Sequence, residues 1–158
     1  MERVLGIDYG EARIGLAVSD ELGMLAHPVE TIHRNAVPDF LARIVEVAAE
    51  KAVSLVVVGL PLHLDGSRGA AVEKVESFVS GLREKLPEGI PVKTVDERLS
   101  TVEAQRKLHE AGRTVKNSRN VIDQMAAVVI LQDYLDETAL KNGALSDLPG
   151  ALEIDDED

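Results

Sequence analysis

Three carboxylates stand where apolar segments of the chain end or begin. Asp8 closes the run Val4-Leu5-Gly6-Ile7 and is followed by Tyr9-Gly10. Glu97 lies in Asp96-Glu97-Arg98, just after an apolar stretch that ends at Val95. Asp123 falls near the start of the last long helical pattern, with Ala126, Ala127 and Ile130 at helical spacing from it. A charged group at the end of a buried strand is costly unless something uses it. Carboxylates gathered from strand and helix ends are suited to hard divalent cations such as Mg2+ or Mn2+. Two such ions about 4 Å apart can activate water and stabilise the leaving oxygen of a phosphodiester. A triad of acids with no adjacent Ser, His or Cys nucleophile points to that chemistry. His27, His33, His63 and His109 form no zinc motif.

Each acid also has a plainer reading. Asp8 can be a turn residue, since Asp-x-Gly is common at strand ends. Glu97 can be a surface acid paired with Arg98, and Asp96 competes with it as a ligand. Neighbours on a strand point to opposite faces, so one of the two faces the site. Asp123 can be a capping acid in the first turn of a helix that starts at Asn120. Against that, its apolar and small neighbours place it on a face that packs closely on a sheet, whereas a capping acid points to solvent.

The elements that must position these residues follow from periodicity. Strands are expected near 3–8, 13–19 and 24–32, then a helix near 36–51 with Phe40, Leu41, Ile44, Val45 and Ala48 on one face. Leu55-Val56-Val57-Val58 reads as a strand buried on both faces. A helix near 67–86, a short strand near 92–95, a helix opened by the capping box Ser100 to Glu103, and a final helix near 120–136 complete the pattern. Three leading strands followed by alternating strands and helices indicate an α/β fold with a mixed sheet. The folded domain is expected over 1–138, and residues 139–158 are expected to be an acidic, disordered tail.

The chain of 158 residues is long enough for one domain with a real core. It has no cysteine, which excludes disulfides and thiolate chemistry. The longest apolar run, Met125 to Leu131, is too short to span a bilayer, so no membrane partner is expected and the expected location is cytoplasmic. The net charge of −11 argues against nucleic acid until its distribution is considered. Residues 136–158 hold eight acids and one base. Residues 105–119 hold Arg106, Lys107, Arg113, Lys116 and Arg119 against Glu110 alone. That basic segment, with Arg98, could follow a phosphate backbone, or be an ordinary solvated face. With 3% aromatic residues and no tryptophan, a stacking platform for single-stranded bases is not expected. Recognition would rest on phosphate contacts and shape.

Four segments occur in order: Val4-Leu5-Gly6-Ile7-Asp8-Tyr9-Gly10, Val56-Val57-Val58-Gly59-Leu60-Pro61, Asp96-Glu97-Arg98-Leu99-Ser100-Thr101 and Val121-Ile122-Asp123-Gln124-Met125-Ala126-Ala127. Together they resemble the YqgF/RuvX family, a branch of the RNase H-like superfamily, over residues 3 to about 136. The resemblance implies a five-stranded mixed sheet in the order 3-2-1-4-5 flanked by helices. It also implies a divalent-metal nuclease acting on structured nucleic acid, with Asp8, Glu97 and Asp123 as ligands. Family members are described as maturing the 5′ end of the small-subunit rRNA precursor, which would make ribosomal particles a partner. Some are discussed as Holliday-junction resolvases acting on branched DNA. Gly59 stands where related enzymes carry an acid on the fourth strand, so Glu97 must supply that carboxylate from the fifth.

Two other classes compete. Actin-like ATPases and sugar kinases open on a similar Gly-Ile-Asp-x-Gly, but they need two such domains, and this length supplies one. A catalytically silent nucleic-acid-binding module would keep the fold without the chemistry. The presence of all three acids argues against it. Neither oligomeric state nor the choice between RNA and a DNA junction can be read from the residues.

Overall fold

The structure, a computed structural model, describes residues 3–61, 68–96 and 115–141, with side chains in the last of these described over 125–140. Five strands form one mixed sheet. They are β1 (Val4–Tyr9), β2 (Arg13–Ser19), β3 (Ala26–His33), β4 (Leu55–Leu60) and β5 (Val92–Asp96). Their order is β3-β2-β1-β4-β5, the order expected from the resemblance. β1, β2 and β3 make an antiparallel meander, while β4 joins β1 and β5 joins β4 in parallel. Parallel neighbours need a crossover. Here α2 (Ala70–Lys85) lies between β4 and β5 in the chain, and α1 (Phe40–Glu50) lies between β3 and β4. Asp39 caps α1 by accepting a hydrogen bond from the Ala42 amide.

The alternation of β1 divides the core. Leu5 and Ile7 point to one face, where they pack with Val56 and Val58 against Ile44 and Val47 of α1 and Val75, Phe78, Val79 and Leu82 of α2. Val4 points to the other face and packs with Ala17, Leu55 and Val57 against Ala127, Leu131 and Leu135 of the last helix, α3 (Val115–Lys141). β4 is apolar on both sides because both sides are covered.

α3 is longer at both ends than the apolar pattern suggests. It begins five residues before Asn120 and runs through Ala139 and Leu140 to Lys141, so residues 139–141 of the expected tail are helical. Residues 142–158, the rest of that tail, lie outside the described residues, as does the helix expected from Ser100. The edge strand β3 carries Pro28 and is paired to β2 through a bulge at Leu16/Ala17. Gln132 of α3 ties the start of β3 to the helix: its side-chain oxygen accepts from the Ala26 amide at 2.9 Å and its nitrogen donates to the Met24 carbonyl at 2.8 Å. Among the described residues, no helix is long and apolar enough to cross a membrane.

Candidate active site

β1 places Asp8 through a two-residue repeat. Val4, Gly6 and Asp8 share the α3 side of the sheet. Gly6 is where the helix comes closest. A Cβ built there would lie 2.7 Å from the Leu131 Cβ and 3.2 Å from the Ala127 carbonyl oxygen. The helix therefore rests on the strand backbone at this point, and only glycine fits between them.

That contact sets the axial register of α3. Gln132 reaches Ala26 and Met24, level with Val4 at the start of β1, while Ala127 and Leu131 flank Gly6. The helix thus runs antiparallel to β1. Two further strand residues, about 6.6 Å, lead from Gly6 to Asp8. One helical turn, about 6 Å, leads from Ala127 back to Asp123. Asp123 therefore lies one turn N-terminal to the Ala127 contact, toward the Asp8 end of β1. Its side chain lies outside the described part of α3.

Asp8 is half-buried and sits in a row of small residues. Its registered neighbour on β2 is Gly15. Continuing the β1–β4 pairing one residue beyond Ile7↔Val58 brings it level with Gly59 on the other side. Neither neighbour carries a side chain, so the carboxylate stands between two bare stretches of backbone at the exit of the central strand. Beyond it the chain turns sharply. A Cβ at Gly10 would lie 2.6 Å from the Arg13 carbonyl oxygen, so the turn into β2 requires glycine at this position.

The opposite side of the same turn is aromatic and charged. Tyr9 stacks on Phe78 with ring centroids 4.3 Å apart, and Phe40 lies 6.3 Å from Tyr9. The Arg34 guanidinium lies 5.1 Å from the Tyr9 centroid and 4.7 Å from the Phe40 centroid, and it donates to the Gly10 carbonyl at 3.0 Å. Glu11 at the tip of the turn is hydrogen-bonded to Lys74 of α2. That bond, with the charges of Lys74 and Arg34, holds the Glu11 carboxyl below the usual glutamate range.

Among the sequence candidates, Asp8 lies near the end of the central strand β1. The capping alternative for Asp123 does not survive: α3 starts at Val115, which puts Asp123 two turns inside the helix and away from the exposed amides of the first turn. Asp96, the competitor of Glu97, ends β5 on the side of Val92, which packs with α1 and α2. Lys93 lies on the other side, with its ammonium 5.8 Å from the Tyr134 ring of α3. Asp96 thus points away from the face that carries Asp8. Glu97 lies outside the described residues, as do Arg98, Arg106, Lys107 and Arg113. Lys116 and Arg119 lie in the first turns of α3, seven and four residues before Asp123, so their backbone positions fall on one stripe of the helix. Among the described residues no group of three or more His, Asp or Glu side chains gathers as a metal site, and of the three candidate acids only Asp8 has a described side chain.

Gly6, Gly15 and Arg34 also shape the surroundings of Asp8. Gly6 was legible: a glycine two residues before an acid on the same strand face marks a close approach. Arg34 had no such signal, because the rings it contacts, Tyr9 and Phe40, come from β1 and α1.

A mixed sheet in this order, meander first and parallel additions after, with an acid at the exit of the central strand, defines the RNase H-like class. Two solved structures share that fold. RuvC of T. thermophilus in complex with a Holliday junction superposes with a TM-score of 0.56 at 20% identity, covering 86% of this chain and 95% of that one. The Fowlpox virus resolvase bound to Holliday junction DNA gives 0.54 at 11% identity, covering 86% and 98%. The chain belongs to the RuvX family, whose model, described as "Holliday junction resolvase", matches residues 2–137. Relatives from Desulforamulus reducens (41% identity; 87% of this chain, 98% of the relative) and Acetivibrio thermocellus (47%; 85% and 95%) are both named "Putative pre-16S rRNA nuclease".

Proposed function

We propose that this protein is a divalent-metal-dependent nuclease that cleaves the precursor of 16S rRNA in the cytoplasm. The observation that carries the proposal is the seating of α3 on Gly6, two residues before Asp8 on the same strand face, with Asp123 one helical turn from the Ala127 contact. Asp8, Glu97 and Asp123 are the residues that would hold Mg2+ or Mn2+. The donor set fits: carboxylate oxygens suit these hard ions, and the chain contains no cysteine that would select a softer metal. The orientation of Asp96 toward α1 and α2 favours its neighbour Glu97 as the third ligand. When bound, two such ions would supply an activated water and neutralise charge on the phosphodiester.

The chain's own residues do the rest. Gly15 and Gly59 leave the strand surface beside Asp8 without side chains, which lets a sugar-phosphate backbone approach the carboxylate. Lys116 and Arg119 lie on the part of α3 that continues beyond the level of Asp8, where cations meet a phosphate chain entering the site. Arg98, Arg106, Lys107 and Arg113 would extend that contact. Low aromatic content favours recognition by shape and phosphate contacts. The names of the curated relatives favour an rRNA precursor over branched DNA, with preribosomal particles as the partner.

The test is side-by-side cleavage of a 16S precursor leader and a four-way DNA junction by the purified protein with Mn2+ or Mg2+. Leader cleavage that Asp8→Asn abolishes, in a variant that melts like the wild type, is the expected result. Paired symmetric incisions in the junction with the leader left intact would move the substrate to branched DNA. Undiminished cleavage by folded Asp8→Asn would end the metal-site reading altogether.

A further inference from the structure

We infer that Arg34 is a positioning residue for Asp8, acting from the opposite face of the sheet; the inference rests on the reading of Asp8 as a metal ligand. β1 runs past its pairing with β4. The registered partners end at Ile7↔Val58, whereas pairing with β2 continues through Asp8↔Gly15 and Tyr9↔Ile14. The last stretch of chain that carries Asp8 is thus laddered on one side, and the contacts of Tyr9 and Gly10 help to set its path.

Arg34 holds both. Its guanidinium lies over the Tyr9 and Phe40 rings, at 5.1 and 4.7 Å from their centroids, and donates to the Gly10 carbonyl at 3.0 Å. Its own amide donates to the Ala12 carbonyl at 3.0 Å, so the side chain is anchored to the same turn that it clamps. Tyr9 in turn is stacked on Phe78 of α2. Successive strand residues point to opposite faces, so fixing the Tyr9 ring and the Gly10 carbonyl steers the Cα–Cβ bond of the preceding residue, Asp8, without touching the carboxylate. A planar cation suits this task. It can lie flat on rings while its edge donates in the plane, which an ammonium cannot do at once.

Outer groups that orient metal ligands typically change metal affinity by about 10- to 100-fold when removed. We therefore expect Arg34→Ala to raise the Mn2+ dissociation constant about tenfold, and Arg34→Lys to raise it by roughly threefold, since lysine keeps either the ring contact or the carbonyl bond. Mn2+ binding is read by water-proton relaxation on the full chain, well below the melting temperature of each variant, with KM for the nucleic acid measured beside it. Asp8→Asn is the control. If Asp8→Asn binds Mn2+ as the wild type does, the metal-site reading falls. If Asp8→Asn loses binding while both Arg34 variants keep the wild-type constant, the positioning role falls and the site stands. A raised KM for nucleic acid with unchanged Mn2+ binding would make Arg34 a substrate contact and overturn the inference. Should Arg34→Ala fail to fold, the threefold shift or its absence in Arg34→Lys decides.

Discussion

Replacing Gly6 with alanine tests the geometry of the site without touching an acid. The new methyl carbon would fall 2.7 Å from the Leu131 Cβ and 3.2 Å from the Ala127 carbonyl. Carbon atoms in contact sit at about 3.5–4.0 Å, so one of the two elements must yield by roughly 1 Å. Neither offending atom can swing away, since one is a Cβ and the other is backbone. The helix must lift or the strand must bend. Overpacking of this kind costs about 1–3 kcal/mol, which for a domain of this size lowers the melting temperature by roughly 3–10 °C. The effect on turnover should be larger than the effect on folding. A 1 Å misplacement of catalytic groups can cost on the order of 100-fold, and lifting α3 moves Asp123 away from Asp8. Leu131→Ala should not rescue Gly6→Ala, because alanine keeps the Cβ that clashes. Leu131→Gly in the same background removes that atom and should restore part of the activity at temperatures where the variant stays folded, although it loses about 1 kcal/mol of helix propensity and a further roughly 2–5 kcal/mol of core packing. Thermal melts and metal-dependent leader cleavage of the four proteins provide the readout. A Gly6→Ala protein that melts and cleaves like the wild type would refute the placement of α3 and the alignment of acids drawn from it.

Asp123→Asn should abolish cleavage while changing stability by no more than about 0.5 kcal/mol, because the residue lies well inside α3 and meets no exposed amides; normal turnover in a melt-verified variant would remove it from the site. Arg43 makes a two-pronged ion pair with Glu30, at 2.6 Å and 3.0 Å, and holds that carboxyl below its ordinary value. Because the folded value is depressed, the stabilisation is complete above the unfolded glutamate value near about 4.3 and is lost as pH falls through the folded one. Arg43→Met should thus be less stable by about 0.5–1 kcal/mol at pH 7, with the gap between melting temperatures closing below pH about 4; a gap that persists in acid would show that packing of the arginine stem is what matters. Deleting residues 142–158 removes six acids and no base. Folding should be retained, and affinity for nucleic acid at low salt should rise, an effect that shrinks as salt screens it; a truncated protein that melts lower would show that the tail packs on the domain.

The parts of the fold that obey one periodicity were legible. β1, β2, β4, α1 and α2 lie within a few residues of their expected positions because each buries a face that its own sequence marks. α3 was under-read at both ends because its first turns and last turn carry polar residues, so the apolar signal begins and stops inside the helix. The Asp123 ambiguity followed directly from that. With the helix started at Asn120, an acid at 123 looks like a cap, whereas with the start at Val115 it does not. The choice between Asp96 and Glu97 also needed three dimensions. Alternation shows that the two differ in face, but only the contacts of Val92 and Lys93 show which face is which. Arg34 was illegible for a similar reason, since the two rings under it come from positions 9 and 40, and its hydrogen bond ends on a carbonyl.

The stack of Tyr9 on Phe78 also makes the protein its own reporter. The chain has no tryptophan and two tyrosines, so its intrinsic fluorescence comes from Tyr9 and Tyr134 alone. Tyr9 is the residue next to Asp8, pressed against Phe78 and under a guanidinium. Tyr134 lies on α3 beside Lys93. Both emitters therefore sit on elements that carry proposed ligands, one on the central strand and one on the helix. Tyr134→Phe leaves a single fluorophore directly behind the carboxylate, so occupancy of the site could be followed by light without an attached dye.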